Sequence, residues 1–219
     1  MDLDGDGRTD ILSGSWPGEI YWFRGKANGS YAAAETLKRN SSNLNVGKAS
    51  AIAVADWDGD GDLDLLIGTI DGWVNFVKNE GTKTKPAFKP VEKLQVGGAP
   101  IKTAHGDAGP CVADWDGDGK ADLVLGAGAG GVQWYRRASD GKLESPVTLV
   151  PAPSETEAKK LFDNPKGPAT RTKVCVADWN GDGKQDLIVG DFNYSGARNY
   201  HGWVWVYLRN GTTTAAARK

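Results

Sequence analysis

The sequence has few cysteines, few histidines and no long apolar run, and each shortage excludes a class of protein. Two cysteines in 219 residues, Cys111 and Cys175, cannot form the disulfide framework of a small secreted domain. They occupy equivalent positions three residues before an acidic segment, so we expect both to be buried free thiols. No apolar stretch reaches the roughly 20 residues of a membrane span, and no Lys/Arg run of the nucleic-acid-binding type occurs. The sequence therefore predicts neither a membrane span nor a nucleic-acid partner.

Acidic residues are concentrated in four short segments. More than half of the 28 Asp and Glu side chains lie in nine-residue segments that begin at residues 2, 56, 114 and 178. Each segment has an oxygen-bearing side chain at positions 1, 3, 5 and 9. Glycine at position 6 supplies the positive φ that a tight loop needs. So many oxygens in one turn suit a hard cation, since Ca²⁺ takes six to eight oxygen ligands.

These segments, here called metal loops 1 to 4, predict about one structural Ca²⁺ per repeat. Position 7 would add its backbone carbonyl to the side chains at positions 1, 3, 5 and 9. The predicted metal-binding residues are Asp2, Asp4, Asp6, Arg8, Asp10, Asp56, Asp58, Asp60, Asp62, Asp64, Asp114, Asp116, Asp118, Lys120, Asp122, Asp178, Asn180, Asp182, Lys184 and Asp186. The alternative is four solvated acidic turns, because Asp and Gly form turns without a metal. Recurrence of the spacing in four copies favours the metal.

The metal loops recur every 54 to 64 residues, a period typical of solenoids, propellers and arrays. Short apolar segments precede three of the loops and follow all four, as expected for buried strands. A third segment alternates apolar and other residues, and a more polar fourth follows in three repeats. Four antiparallel strands per repeat predict the blade of a β-propeller. The chain is thus predicted to be one array over residues 1–219, with repeats of about 1–48, 49–108, 109–171 and 172–219.

The unit Val-Ala-Asp-Trp-Asp-Gly-Asp-Gly-Lys-x-Asp-Leu-x-x-Gly, as at residues 112–126, resembles the FG-GAP or VCBS-type repeat of calcium-binding β-propellers. That group includes the integrin α-subunit head and many secreted bacterial proteins. The resemblance covers nearly the whole chain and implies an all-β propeller of four-stranded antiparallel blades. It implies little about activity, because function on such a scaffold is carried by its loops.

The number of repeats departs from that family, whose propellers usually close with roughly seven or eight blades. This chain has four repeats, and nothing before Asp2 supplies the innermost strand of the first. A self-contained four-blade ring, an open part-propeller, a ring completed by another chain such as a second copy, and blades missing upstream are all open alternatives. Metal loops of this kind bind usefully where Ca²⁺ is millimolar, so we expect a secreted, periplasmic or cell-surface setting.

The tryptophans mostly have structural interpretations. At position 2 of three metal loops, Trp57, Trp115 and Trp179 are predicted to be apolar wedges between blades. The alternating apolar positions of the third strand, which end with Val204 and Val206 in the last repeat, are predicted to face the core. Trp16 is less determined by any pattern, and it is a candidate for lining a surface.

The loops that lengthen along the chain all fall at the strand ends opposite the metal loops. Long loops on a rigid scaffold tend to carry binding residues. Six residues in these insertions are predicted to contact a polar or anionic ligand: His105, Arg171, Tyr194, Arg198, Tyr200 and His201. The arginines would hold a carboxylate or sulfate bidentately and the tyrosines would flank a sugar ring. Alternatively, these are ordinary surface residues.

Three functions follow from these patterns. The leading prediction is a calcium-stabilised binding or adhesion module for a carbohydrate or protein, with no catalytic residues. A second is a lyase acting on uronate-containing polymers, in which His201 or Tyr200 abstracts a proton and Arg171 or Arg198 neutralises the carboxylate. No Ser/His/Asp or paired-carboxylate pattern supports hydrolysis. A third is a structural propeller completed by oligomerisation.

Overall fold

The computed structural model describes residues 1–154, 156–157, 167–194, 200–209 and 213–214, and within them it is all-β apart from a helical turn at 156–157. Four small antiparallel sheets are arranged as the blades of a propeller. Blade 1 consists of β1 (Ile11–Gly14), β2 (Ile20–Phe23) and β3 (Glu35–Thr36). Blade 2 consists of β6 (Ala51–Ala55), β7 (Asp64–Gly68), β8 (Val74–Val77) and β9 (Glu92–Lys93).

Blades 3 and 4 repeat this pattern with longer outer or inner strands. Blade 3 consists of β12 (Gly109–Ala113), β13 (Asp122–Gly126), β14 (Val132–Tyr135) and β15 (Val147–Val150). Blade 4 consists of β16 (Thr170–Ala177), β17 (Asp186–Tyr194), β18 (Tyr200–His201), β19 (Val204–Tyr207) and β20 (Thr213–Thr214). Two hairpins not foreseen from the sequence lie in the connectors, β4 (Lys38–Arg39) with β5 (Ser42–Asn43), and β10 (Gln95–Val96) with β11 (Ala99–Pro100).

The strands within each blade are antiparallel, as predicted, and pair in chain order except for β18, which pairs only with β17. Within the described residues, blade 1 has no inner strand. In blade 2 the register joins Ala55 to Asp64 at one end of the strands and Ala51 to Gly68 at the other. The first end carries the metal loops and is called the metal-loop face. The second end carries the connectors and the β17–β18 extension, and is called the connector face. The predicted separation of metal loops from insertions is therefore confirmed.

The hydrophobic core is divided among the contacts between successive blades. Leu65 and Ile67 pack in the cluster shared by blades 1 and 2, whereas Leu66 between them packs in the cluster shared by blades 2 and 3. A third cluster joins blades 3 and 4. Because side chains alternate across a strand, a blade between two others buries both faces. This confirms, for blades 2 and 3, the prediction that the apolar run after a metal loop is a strand buried on both sides. The prediction was wrong for blade 1, where Ile11 is 42% exposed because no described blade precedes β1.

Glycine ends these strands because the next blade lies against it. A Cβ added at Gly14, Gly68 or Gly126 would come within 2.1–2.3 Å of a backbone oxygen at the start of the following blade's inner strand. Real Cβ atoms do not approach oxygen so closely, so only glycine fits. Gly190, the equivalent residue of blade 4, meets only Lys173 of its own blade within the described chain.

Blade 4 therefore has a free flank, and two sequence predictions fail there. Trp179 is 62% exposed and Val204 is 51% exposed, so neither packs in a core. Trp205, the neighbour of Val204, is buried instead and packs against blade 3. The prediction of a wedge at Trp179 and of a core-facing Val204 was wrong because no described blade covers that side. Within the described residues, blades 4 and 1 share no hydrophobic cluster.

The two cysteines are free, but only one is shielded. Cys111 is half-buried, and burial raises the pKa of its thiol to about 11. Cys175 is exposed, so the prediction of two buried thiols was wrong for this residue. Its strand, β16, is the inner strand of the blade whose flank is free, which leaves it without the cover that Cys111 has.

Candidate functional site

The ninth residue of each metal loop is a buried aspartate that ties its blade together. Asp10, Asp64, Asp122 and Asp186 are at most 3% exposed. In every blade, Oδ2 of this aspartate accepts the N–H of loop position 2. Its Oδ1 accepts the N–H of the residue two places after β2, β8, β14 or β19. The carboxylate thus joins loop to sheet through hydrogen bonds as well as through any metal.

Loop 3 shows how the other carboxylates are held. Asp114 accepts N–H groups from Gly117, Asp118 and Gly119 at 2.8–3.0 Å, which closes the turn around its carboxylate. Gly117 and Gly119 have φ of 79° and 86°, a region that favours glycine. At position 7, Arg8, Asp62, Lys120 and Lys184 each donate their N–H to the carboxylate at position 5.

Among the described residues, three all-carboxylate clusters lie on the metal-loop face. Each offers one oxygen per residue, and the three oxygens lie within 4.8 Å of one another. The clusters are Asp2, Asp4 and Asp6 in loop 1, Asp56, Asp58 and Asp64 in loop 2, and Asp114, Asp116 and Asp122 in loop 3. Loop 4 has the amide of Asn180 at position 3. Oxygen donors of this kind are what calcium prefers, and Oδ1 of Asp4 is buried with no hydrogen-bond partner among the described residues. The residues therefore fit a calcium ion.

Burial, and secondly the neighbouring carboxylates, raise the pKa of three aspartates in the metal loops. Burial raises the pKa of Asp64 to about 6, and the nearby charges of Asp58 and Asp60 add to the effect. Burial also raises the pKa of Asp122 and of Asp4, with neighbouring aspartates contributing. A bound cation would favour the charged form of these buried carboxylates and so offset the cost of burying them.

Internal cations supply part of that charge, and sequence reasoning missed them. Lys78 pairs with Asp58 and, at 3.1 Å, with Asp60. Arg136 pairs with the corresponding carboxylates of loop 3, and Arg24 lies 3.8 Å from Asp4. These cations are the first residues after β2, β8 and β14, and blade 4 has Leu208 at the equivalent place after β19. The signal was therefore present in the sequence as a cation at one position in three of four repeats.

The predicted tryptophan wedges are confirmed where a next blade exists. Trp57 is buried, the guanidinium of Arg137 lies 4.3 Å from its ring centroid, and Arg137 also donates to its carbonyl. Arg209 makes the same two contacts with Trp115, at 4.8 Å. A cation above an indole ring adds electrostatic attraction to packing, so each arginine locks its blade to the preceding one.

A cavity of about 580 Å³ opens on the connector face and is lined by residues of blades 1, 2 and 4 and of the connector that leads into blade 3. Its walls include Trp16, Ala49, Asp107, Arg171, Lys173 and Phe192. The volume lies within the range typical of small-molecule sites. Trp16 is 67% exposed, so the prediction that it lines a surface is in keeping with its place at this cavity.

Charged side chains in the cavity form a small ion-pair cluster. Asp107 is buried and pairs with Nε of Arg171 and with Nζ of Lys173, the latter at 2.6 Å. Burial acts to raise the pKa of Asp107, but the hydrogen bonds from the two cations outweigh it, so the pKa lies below its ordinary value. Asp191, the other carboxylate of the lining, accepts N–H groups from Ala169, Trp203 and the indole of Trp205, so the lining has two carboxylates and two cations, and both cations face Asp107.

The backbone is strained at three equivalent positions around this cavity. Ala49, Asp107 and Arg171 have φ of 51°, 53° and 51°, which is uncommon for residues other than glycine. Each lies two residues before the point at which its inner strand pairs with the strand-ending glycine. Strain of this kind tends to occur at functional sites. The repeat of the kink was not visible in the sequence, because the three side chains differ.

The structure brings only some of the predicted ligand residues to the cavity. Arg171 lines it, and Tyr200 is 59% exposed with its ring 5.8 Å from that of Phe192, another lining residue. His201 packs against Trp203, away from the cavity lining.

The remaining predicted residues are placed only in part. His105 lies in the connector before Asp107 with φ of 58°, and its side chain does not line the cavity. Tyr194 pairs with Tyr200 in strand register, and its side chain, like the whole of Arg198, lies outside the described residues. The six ligand-binding assignments therefore stay predictions, as does the lyase alternative built on them.

The profile of the FG-GAP-like repeat matches the chain three times, over residues 2–67, 56–125 and 114–189. Among solved structures, an Agrocybe aegerita lectin, described for specific recognition of non-reducing terminal N-acetylglucosamine, aligns at 17% identity and a TM-score of 0.42. The alignment covers 99% of this chain and 64% of the lectin chain, so this chain spans less than two thirds of that length. No curated protein matches significantly. No helix within the described residues has the length and apolar character to cross a membrane.

Proposed function

The chain belongs to the FG-GAP-like repeat family, and we propose that it is a calcium-stabilised binding module whose ligand, a carbohydrate or a protein, contacts the connector face. The connector-face cavity is the observation that carries this proposal. It joins residues of blades 1, 2 and 4 and of the connector that leads into blade 3, and it contains an exposed Trp16 and two cations that face Asp107. Concave sites with a few convergent polar groups are where small ligands bind.

Calcium would serve the scaffold rather than the ligand. In loops 1 to 3, the clustered aspartates would hold the ion together with the position 7 carbonyl, and in loop 4 the set would include Asn180. Bound calcium supplies positive charge that offsets carboxylate repulsion. Sites of this kind would be filled where Ca²⁺ is millimolar, which favours a secreted, periplasmic or cell-surface setting.

A binding screen tests the proposal. The chain would be applied to carbohydrate and protein arrays in 1 mM Ca²⁺ (about the upper range for extracellular modules), beside two variants. Trp16→Ala alters the connector face, whereas Lys142→Ala removes a side chain that is 83% exposed at the turn between β14 and β15, on the metal-loop face. We expect the first variant to weaken binding and the second to leave it unchanged. Binding that depended on Lys142 but not on Trp16 would place the ligand elsewhere and overturn the proposal.

An assembly role is a second candidate, favoured by the free flank of blade 4. Trp179 and Val204 are exposed at positions where preceding blades bury theirs against a neighbour. A second copy of the chain could cover this flank, since oligomers use such complementary surfaces. Light scattering decides this, because a strict monomer at high protein concentration would remove the candidate.

A further inference from the structure

We propose that the connector-face cavity is a subsite for an acidic sugar, a uronic acid unit whose carboxylate pairs with Arg171 and whose ring lies against Trp16. The inference rests on the proposed binding function and specifies the ligand of the same site. It follows from which hydrogen-bond donors are still available in the cavity, from the exposed aromatic ring beside them and from the rigidity of the backbone that holds both.

Of the two cations that line the cavity, Arg171 is the one with N–H groups still available to donate to a ligand. Lys173 uses Nζ on Oδ1 of Asp107, on the carbonyl of Asp107 at 3.1 Å and on the carbonyl of Ala108 at 3.2 Å, so its three hydrogens are committed. Arg171 uses Nε on Asp107. Its terminal nitrogens make no hydrogen bond within the described part of the chain, and its side chain is 43% exposed. A guanidinium fixed at Nε presents its remaining N–H groups in the geometry that a carboxylate accepts in pairs.

The aromatic ring of Phe192 also helps to hold the Arg171 guanidinium in place. The guanidinium lies 5.4 Å from the ring centroid of Phe192, a contact that restrains its plane while leaving its edge free. Asp107 holds the other side of the group and is ionised at neutral pH, since its cationic partners lower its pKa. Arg171 is therefore positioned before any ligand arrives, which reduces the entropy lost on binding.

Trp16 supplies a flat apolar surface in the same cavity. Its side chain is 67% exposed, and large aromatic side chains are seldom left so open. The turn that carries it is anchored, because its carbonyl accepts the N–H of Ala49, one of the three kinked residues, at 3.0 Å. Sugar rings have apolar C–H faces that pack on such rings, and the polar edge remains free for the arginine.

An acidic sugar fits these features better than an acidic peptide. A peptide with several carboxylates would need several cations with free donors along its length. Among the residues lining the cavity, Arg171 and Lys173 are the cations, and Lys173 is fully engaged. A uronic acid unit carries one carboxylate and one sugar ring, which correspond to one arginine, Arg171, and one indole, Trp16, in the cavity.

Ligand-observed NMR tests the inference directly. The calcium-loaded chain would be titrated with galacturonate, glucuronate and mannuronate, with galactose, glucose and mannose as their neutral parents, and with triglutamate as the acidic peptide. We expect at least one uronate to bind about tenfold or more tightly than its parent, since charged hydrogen bonds account for most of the difference. Arg171→Gln should abolish that preference. Arg171→Lys should retain part of it, because lysine keeps the positive charge but cannot donate two parallel N–H groups to one carboxylate.

Lys48→Gln is the matched control, because it removes the same charge from an exposed residue next to the lining residue Ala49. It should leave uronate binding unchanged. If Arg171→Gln melts early, Arg171→Lys and Trp16→Ala provide the comparison. Equal binding of uronates and parents, binding of triglutamate alone, or uronate binding indifferent to Arg171 would each overturn the inference. If the arrays nevertheless identified a ligand that binds this face, the proposed binding function would remain and only the acidic-sugar inference would fail.

Discussion

Asp64 on the metal-loop face and Asp107 on the connector face are both buried carboxylates, yet their pKa values move in opposite directions. Burial and neighbouring aspartates raise the pKa of Asp64 to about 6. Burial also acts to raise the pKa of Asp107, but hydrogen bonds from Arg171 and Lys173 lower it below the ordinary value. The difference teaches that the cost of burial outweighs the hydrogen bonds that Asp64 accepts, whereas at Asp107 the hydrogen bonds from two cations outweigh that cost. A bound cation would therefore stabilise the first carboxylate, whereas the second already has its cations, and Arg171 keeps N–H groups that an anion can accept.

Removing a ninth-position aspartate should have the largest effect. Asp122→Ala leaves the N–H groups of Trp115 and Arg137 and the indole N–H of Trp134 without their acceptor. Each unsatisfied buried donor costs about 1–3 kcal/mol, so the free energy of unfolding should fall by about 3 kcal/mol or more. Urea denaturation in calcium measures it, with the exposed Asp140→Ala as control. A loss below about 1 kcal/mol would contradict the role of Asp122 in joining loop to sheet.

The pH dependence of the metal-free chain should separate the two faces. The folded-state pKa of Asp64, about 6, lies above its ordinary 3.8. The folded state therefore holds the proton more tightly, and this contribution to stability is present below pH 4 and lost as the pH rises to about 6. The loss should be at most about 3 kcal/mol, since one pKa unit corresponds to 1.36 kcal/mol. Denaturation in chelator should show it, and Asp64→Asn should flatten the profile. An unchanged slope in that variant would contradict the assignment.

Asp107 should behave in the opposite sense. Its folded-state pKa is depressed, so its contribution is present above its ordinary pKa of 3.8 and is lost as the pH falls through the folded value. Asp107→Asn should be less stable than the native chain by about 1–2 kcal/mol at neutral pH, because the paired cations are partly exposed. The gap should close in acid. A gap that persisted at low pH would mean that packing, not charge, holds this cluster.

The smallest effect concerns the internal cations of the metal-loop face. Arg136→Met should strengthen calcium binding by loop 3, and Leu208→Arg should weaken it in loop 4, because a cation beside the loop competes with the ion. Exposed ion pairs contribute up to about 1 kcal/mol, so the change should be about fivefold or less. Isothermal titration calorimetry measures both. Opposite or null changes in the two variants would show that these cations do not compete with calcium.

The repeats, the blade pattern and the separation of the two faces were predictable because they depend on local spacing. The buried apolar runs and the strand-ending glycines follow from period and position alone. Trp179, Val204 and Cys175 were mispredicted for one reason. Each sits where a following blade would cover it, and a repeat pattern assumes that every copy has equal neighbours.

The cavity was less predictable, because its residues come from four repeats and share no motif. Arg171 was selected from its loop, but Asp107, its partner, lies 64 residues earlier in the chain. The common kink at Ala49 and its equivalents involves different side chains, so only the backbone reveals it. Lys78 and Arg136, in contrast, recur at one position, and an alignment of the repeats to each other identifies them.

Calcium titration of the metal-free chain, followed by calorimetry and by thermal melting, tests the central claim most directly. We expect saturable binding of about one ion per repeat and a large rise in melting temperature, since each site adds about 2.7 kcal/mol at a hundredfold excess over Kd. Excess chelator should reverse the rise. A chain that bound no calcium at millimolar concentration, and melted at the same temperature in chelator, would contradict the account.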